Sequence, residues 1–110
     1  MQVLVQCDDP LYCDENLIHR VEGVIAGTLE RFSEHVYRVE VRLKDLHSEK
    51  PGARDQVCSL EARLRGLPLV IAEHEAPTLT EAIHAAAGKL ERLIGRQLRT
   101  IPVTGLATRP

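Results

Sequence analysis

Residues 37–44, YRVEVRLK, alternate strictly between apolar or aromatic and charged side chains. A period of two puts neighbouring side chains on opposite faces of a β-strand, so this stretch predicts a strand with one buried and one solvated face. The predicted inner set is Tyr37, Val39, Val41 and Leu43. Residues 57–65, VCSLEARLR, alternate in the same way, with an inner set of Cys58, Leu60, Ala62 and Leu64. The rest of the chain must therefore supply apolar cover for one face of a sheet.

Two segments with helical spacing can provide that cover. The first follows Asp14, a predicted N-cap, and its apolar stripe continues to Val36. The second begins at Thr78, whose spacing to Glu81 matches a capping box. Its predicted apolar face is Leu79, Ile83, Ala86, Leu90, Leu93, Ile94 and Leu98. Shorter strands are predicted at residues 2–7 and 69–75.

The resulting element order is β-α-β-β-β-α, which predicts an α+β fold. A four-stranded, mostly antiparallel sheet with two helices packed on one face would bury every apolar set. A chain of 110 residues has room for one such core. We expect a single domain over residues 1–100 and a flexible C-terminal tail over residues 101–110.

Composition narrows the class of protein. Apolar residues make up 44% and charged residues 27% of the chain, as in folded soluble domains. No apolar run approaches the roughly 18 residues of a membrane span, and the N-terminus shows no basic leader, so we expect a cytoplasmic protein without a membrane partner. Three cysteines are an odd number, which argues against a disulfide framework and favours structural thiols.

Nothing in the sequence indicates catalysis. Cys7, Cys13 and His19 lack the CxxC spacing and the fourth ligand of a metal site, so no metal is predicted. The five histidines form no nucleophile–base grouping, and no glycine-rich phosphate loop is present. Glu73 and Glu75 lack an evident acid–base partner. We therefore expect no enzyme activity, no cofactor and no small-molecule substrate.

Charge is distributed unevenly along the chain, although the formal net charge is only -2. Residues 14–36 carry five acidic and two basic side chains, whereas residues 78–110 carry two acidic and five basic ones. Four of these last five basic side chains lie within residues 89–99, KLERLIGRQLR. Lys89, Arg92, Arg96 and Arg99 fall within about 80° of one another on a helical wheel, opposite the apolar face. These four residues are called the basic ridge below.

The basic ridge has two interpretations. Spacing alone favours a solvated helix face, with cations placed favourably near a helix C-terminus. The alternative is a phosphate-binding surface, because guanidinium groups bind phosphate through two parallel hydrogen bonds.

Several stretches carry a family resemblance over roughly residues 1–100. MQVLVQC, LERF, YRVEVRLK and EAIHAAAGKLERLIGRQ, with its Ala-Ile element before Lys-Leu-x-Arg, resemble the ribosome hibernation promoting factor family. This family is also called ribosome-associated inhibitor A or sigma-54 modulation proteins, and the chain resembles its short form. The resemblance implies a stress-response protein that binds ribosomal RNA of the small ribosomal subunit near the decoding centre and inhibits translation.

Carried over by position, Lys89, Arg92 and Arg96 match basic positions of the family's last helix, and Arg31 matches one near the end of the first. With Arg99, the last member of the basic ridge, they are the predicted RNA-binding residues. A second hypothesis is a protein-interaction module on the same fold with lost or weak RNA binding. The acidic first helix favours that alternative.

Overall fold

The computed structural model describes residues 1–9, 13–47, 50 and 52–105, with side chains up to Arg99. Its elements are β1 (Gln2–Cys7), α1 (Glu15–Thr28), a 3-10 turn (Glu30–Phe32), β2 (Val36–Asp45), β3 (Gln56–Leu64), β4 (Val70–Ala76) and α2 (Leu79–Gly105). The sheet order is β1-β2-β3-β4. Strands β1 and β2 are parallel and the other pairs antiparallel. The predicted α+β fold and element order are confirmed.

The hydrophobic core lies between one face of the sheet and both helices. Val41 pairs with Leu60, and Leu60 pairs with Ala72, so apolar side chains from three strands line up on the inner face. Leu90 of α2 and Ile25 of α1 are fully buried in the same cluster. Arg38, Arg42 and Arg63 remain solvent-accessible on the outer face, which confirms that the charged side chains of β2 and β3 lie on the solvated face of the sheet.

Both predicted helix starts are confirmed by their capping hydrogen bonds. Asp14 Oδ1 accepts from the backbone N–H of Leu17 at 2.8 Å. At α2, Thr78 Oγ1 accepts from the N–H of Glu81 at 3.2 Å. The Thr78 hydroxyl donates a hydrogen bond to the Glu81 carboxylate at 2.9 Å, so the two side chains interact across the first turn of α2.

The first helix ends earlier than predicted. It stops at Thr28, and a 3-10 turn carries Phe32 before Val36 opens β2. The apolar stripe predicted a longer helix because Leu29, Phe32 and Val36 are all buried, although they lie beyond the end of α1. The inward position predicted for Tyr37 is also wrong, since this side chain is 44% exposed. A register shift between Val36 and Arg38 inserts an extra residue and turns Tyr37 outward.

Helix α2 runs to Gly105, past the domain boundary predicted at residue 100. The remaining residues of the predicted tail, 106–110, lie outside the described residues.

The end of β1 is covalently linked to the start of α1. Cys7 and Cys13 form a disulfide, with their Cα atoms 5.8 Å apart. The expectation that the cysteines are all structural thiols is therefore wrong for this pair, which sequence spacing did not single out. The bond joins the last residue of β1 to the residue before the N-cap Asp14.

Reduction of this disulfide is expected to lower the free energy of unfolding by about 2 kcal/mol, because a short cross-linked loop restricts the unfolded chain. Urea melts with and without dithiothreitol measure the difference. The double variant Cys7→Ser with Cys13→Ser is the control, and its midpoint should not respond to the reductant. Equal midpoints for the oxidised and reduced parent would contradict the expected stabilisation.

Candidate nucleic-acid interface

The packing of α2 determines which of its side chains reach solvent. Leu90 and Ile94 are completely buried against the sheet, which turns the opposite side of the helix outward. Arg92, Arg96 and Arg99 are exposed on that side. Spacings of four and three residues keep the three guanidinium groups on one side of the helix.

Lys89, the first member of the basic ridge, is held against the sheet. Its Nζ donates a hydrogen bond to the backbone carbonyl of Glu73 on β4 at 2.9 Å. The ammonium therefore partly covers the free edge of the sheet and is only half-buried, so it still contributes positive charge beside Arg92. Sequence spacing placed Lys89 in the same helical sector as the three arginines, but the contact with β4 depends on the tertiary structure.

Arg31 reaches α2 from the 3-10 turn that follows α1. Its Nε lies 3.3 Å from Glu91 Oε2, and its guanidinium lies 4.1 Å from the centre of the Phe32 ring. Arg31 is still 61% exposed. The structure thus places Arg31 beside the C-terminal half of the basic ridge, although its partner Glu91 lies 60 residues away in sequence.

The three arginines of the basic ridge have no acidic partner in the part of the chain that the structure describes. No carboxylate there lies within 4.0 Å of Arg92, Arg96 or Arg99. Glu91, the one acidic residue among them in sequence, is directed to Arg31. Unpaired cations on one face create a positive potential that attracts a polyanion.

The outer face of the sheet also contains basic residues, but there they are paired with acids. Arg38 and Arg63 both contact Glu40, at 3.4 and 3.2 Å. Arg42 lies 2.7 Å from Asp8 on the neighbouring strand end. The positive charge of these sheet arginines is therefore largely balanced locally, whereas that of the arginines of the basic ridge is not.

The described residues contain little that resembles an active site. Cys58 is fully buried, and burial together with the nearby Glu73 carboxylate raises the pKa of its thiol to about 12. A thiol that stays protonated at neutral pH is a poor nucleophile. Glu73 accepts a hydrogen bond from Ser59 Oγ at 2.6 Å on the exposed outer face. Over the described ranges, no group of three or more His, Cys, Asp or Glu side chains is arranged to hold a metal ion.

The fold defines a class of small two-layer α+β domains of β-α-β-β-β-α order. Residues 13–101 match the family described as "Sigma 54 modulation protein / S30EA ribosomal protein". The chain belongs to this family, which confirms the resemblance drawn from its sequence. No curated protein matches the chain.

Solved structures agree with the fold. The N-terminal domain of Protein Y from Thermus thermophilus superposes with a TM-score of 0.70 at 24% identity, covering 87% of this chain and 98% of its own. A ribosomal subunit interface protein from Coxiella burnetii superposes with a TM-score of 0.61 at 14% identity, covering 89% and 99%. Within the described residues, neither helix is long and apolar enough to cross a bilayer.

Proposed function

We propose that this protein binds the small ribosomal subunit through the basic ridge and Arg31, and that it inhibits translation as a hibernation factor. The observation that carries the proposal is the row of three exposed arginines without acidic partners among the described residues. Membership of a ribosomal protein family supports the same partner. The proposed place of action is the cytoplasm, and the proposal includes no catalytic step.

The binding we propose is mainly electrostatic and directed to the RNA backbone. Sequence-specific recognition of single-stranded RNA commonly stacks bases on exposed aromatic rings. Phe32 is buried beneath Arg31, and Tyr37 lies with Arg65 at the start of β2. Neither ring offers a stacking platform along the basic ridge. Specificity would then come from the shape of the ribosomal cleft that receives the positive end of the molecule.

Acidic residues elsewhere in the protein would increase its preference for the ribosomal site over free RNA. The segment 14–36, which contains α1, carries a net charge of -3. Negative charge there weakens binding to RNA that is free in solution, because such RNA can approach the protein from any direction. A shaped site can accept the basic ridge while keeping α1 away from phosphate groups.

Salt dependence tests the proposal directly. If about four phosphates are engaged, the logarithm of the affinity for purified small subunits should fall with the logarithm of the salt concentration, at a slope of roughly -3 to -4. Co-sedimentation through sucrose cushions at increasing potassium chloride concentrations measures the slope. Absence of the protein from the ribosome pellet at low salt, or a slope near zero, would contradict the proposal.

The acidic α1 segment favours one second candidate, a protein-interaction module that has lost RNA binding. In that case the protein would fail to sediment with ribosomes at any salt concentration. It would instead bind a basic protein surface through α1, where Glu15 is exposed and Glu22 is half-buried.

A further inference from the structure

Two guanidinium groups from different elements converge over one glycine of α2. A Cβ atom built on Gly95 would lie 3.3 Å from Arg99 Nη1 and 3.5 Å from Arg31 Nη2. Because both guanidinium nitrogens lie within 3.5 Å of that Cβ position, they are at most about 7 Å apart. Arg31 approaches from the turn after α1 and Arg99 from the following turn of α2, so the convergence exists only in the folded protein.

The orientation of Arg31 is set by two contacts. Glu91 Oε2 receives its Nε at 3.3 Å, and the Phe32 ring supports the flat face of the guanidinium at 4.1 Å. Phe32 itself packs close to the helix, with its Cζ atom 3.5 Å from the Cβ position at Gly95. Glu91 engages Nε, and the Nη2 end of Arg31 lies over Gly95, 3.5 Å from the Cβ position there.

Two positive groups at this separation repel each other unless an anion lies between them. Glu91 balances Arg31, but no carboxylate of the described residues lies within 4.0 Å of Arg99. Convergent guanidinium groups match the oxygens of a phosphate, which accept several charge-assisted hydrogen bonds at once. The site is therefore suited to one phosphate group.

We propose that Arg31 and Arg99 form a phosphate clamp over Gly95, which binds a single phosphodiester of the RNA backbone. The clamp rests on the proposed function, because it assigns a particular phosphate contact to one end of the basic ridge. Gly95 is a positioning residue. It touches no phosphate, but a methyl group there would lie 3.3 Å from Arg99 Nη1 and would displace that guanidinium by a few tenths of an ångström.

Backbone geometry gives no other reason for glycine at this position. Gly95 lies inside a regular helix and lacks the positive φ that Gly52 and Gly66 adopt. Glycine weakens a helix interior relative to alanine. Gly88, one heptad earlier, is a natural comparison, because a Cβ there would meet only Arg92 Nη1 at 3.5 Å.

The test compares Gly95→Ala with Gly88→Ala. Both substitutions add one methyl group to the same helix, and both should leave the protein as stable as the parent or more stable in urea melts. The probe is a synthetic 12-base-pair RNA duplex, whose dissociation constant is measured by fluorescence anisotropy at low salt. Gly95→Ala should raise that constant about fivefold by spreading the two arginines, whereas Gly88→Ala should leave it within about twofold of the parent.

A second comparison separates positioning from a direct effect of the methyl group. In the background Arg31→Ala with Arg99→Ala, adding Gly95→Ala should cause no further loss of affinity, because the groups it positions are absent. An equal loss in both backgrounds would overturn the clamp. Equal affinities of Gly95→Ala and Gly88→Ala, or a parent protein that does not bind the duplex, would also overturn it.

Ribosome co-sedimentation of the same variants distinguishes this inference from the proposed function. If the parent sediments with small subunits while the two glycine variants bind the duplex equally, the clamp is wrong and the proposed function stands. If the parent does not sediment but Gly95→Ala still weakens duplex binding, the clamp stands as a phosphate site and ribosome binding is wrong.

Discussion

Replacing Arg92 and Arg96 by glutamate is expected to abolish co-sedimentation with small ribosomal subunits, even at low salt. Both side chains are exposed, and none of the described carboxylates contacts them. The double substitution changes the charge at the centre of the basic ridge from positive to negative, so phosphate attraction becomes repulsion. The thermal midpoint should remain within a few degrees of the parent, because exposed substitutions away from packed contacts cost little stability.

A matched control separates local charge from net charge. Arg20 is exposed on α1 and is absent from the ion pairs of the described residues. The single substitutions Arg20→Glu and Arg92→Glu change the net charge equally. Arg92→Glu should weaken ribosome binding by about tenfold or more, and Arg20→Glu by about threefold or less. If the double variant pelleted with ribosomes like the parent, the basic ridge would be only a solvated helix face.

Leu90→Ala is expected to lower the free energy of unfolding by about 2–5 kcal/mol, the usual range for truncation of a buried leucine. Leu90 is 0% exposed at the centre of the interface between α2 and the sheet. Its loss leaves a cavity in the buried cluster that also contains Leu60 and Ile94. Urea denaturation followed by far-ultraviolet circular dichroism measures the change.

Arg96→Ala is the control for this substitution, because it truncates a long side chain on the outer face of the same helix. It should change the free energy of unfolding by at most about 0.5 kcal/mol. Equal destabilisation by Leu90→Ala and Arg96→Ala would mean that the rotation of α2 about its axis is wrong. The position of the basic ridge would then be wrong as well, since the same rotation exposes it.

The sequence predicted this fold well because its local signals were consistent with one another. The alternation in β2 and β3 assigned Val39, Val41 and Leu60 to the core, and all three are buried. The Thr78 capping pattern marked the start of α2. These features depend on neighbours within a few residues, so a one-dimensional pattern contains them.

Two local predictions were wrong because the buried apolar side chains continue with helical spacing past the point where the helix ends and the strand begins. Val36 continues the helical period of α1 but belongs to β2, and the irregularity after it turns Tyr37 to solvent. Burial depends on where a side chain points and not on which element carries it. Hydrophobic spacing alone therefore could not show that α1 ends at Thr28.

By itself, the sequence determined the order of elements, the inner face of the sheet and the row of basic residues on α2. Each of these follows from the spacing of apolar and charged residues within one element and from the polar segments that separate the elements. Only the tertiary structure decided what those bases contact. It brought Arg31 to Glu91 and Gly95, held Lys89 against β4, and paired Arg63 of β3 with Glu40 of β2. Electrostatic interactions depend on distances in space, and residues 60 positions apart in the chain can meet only once the core has packed.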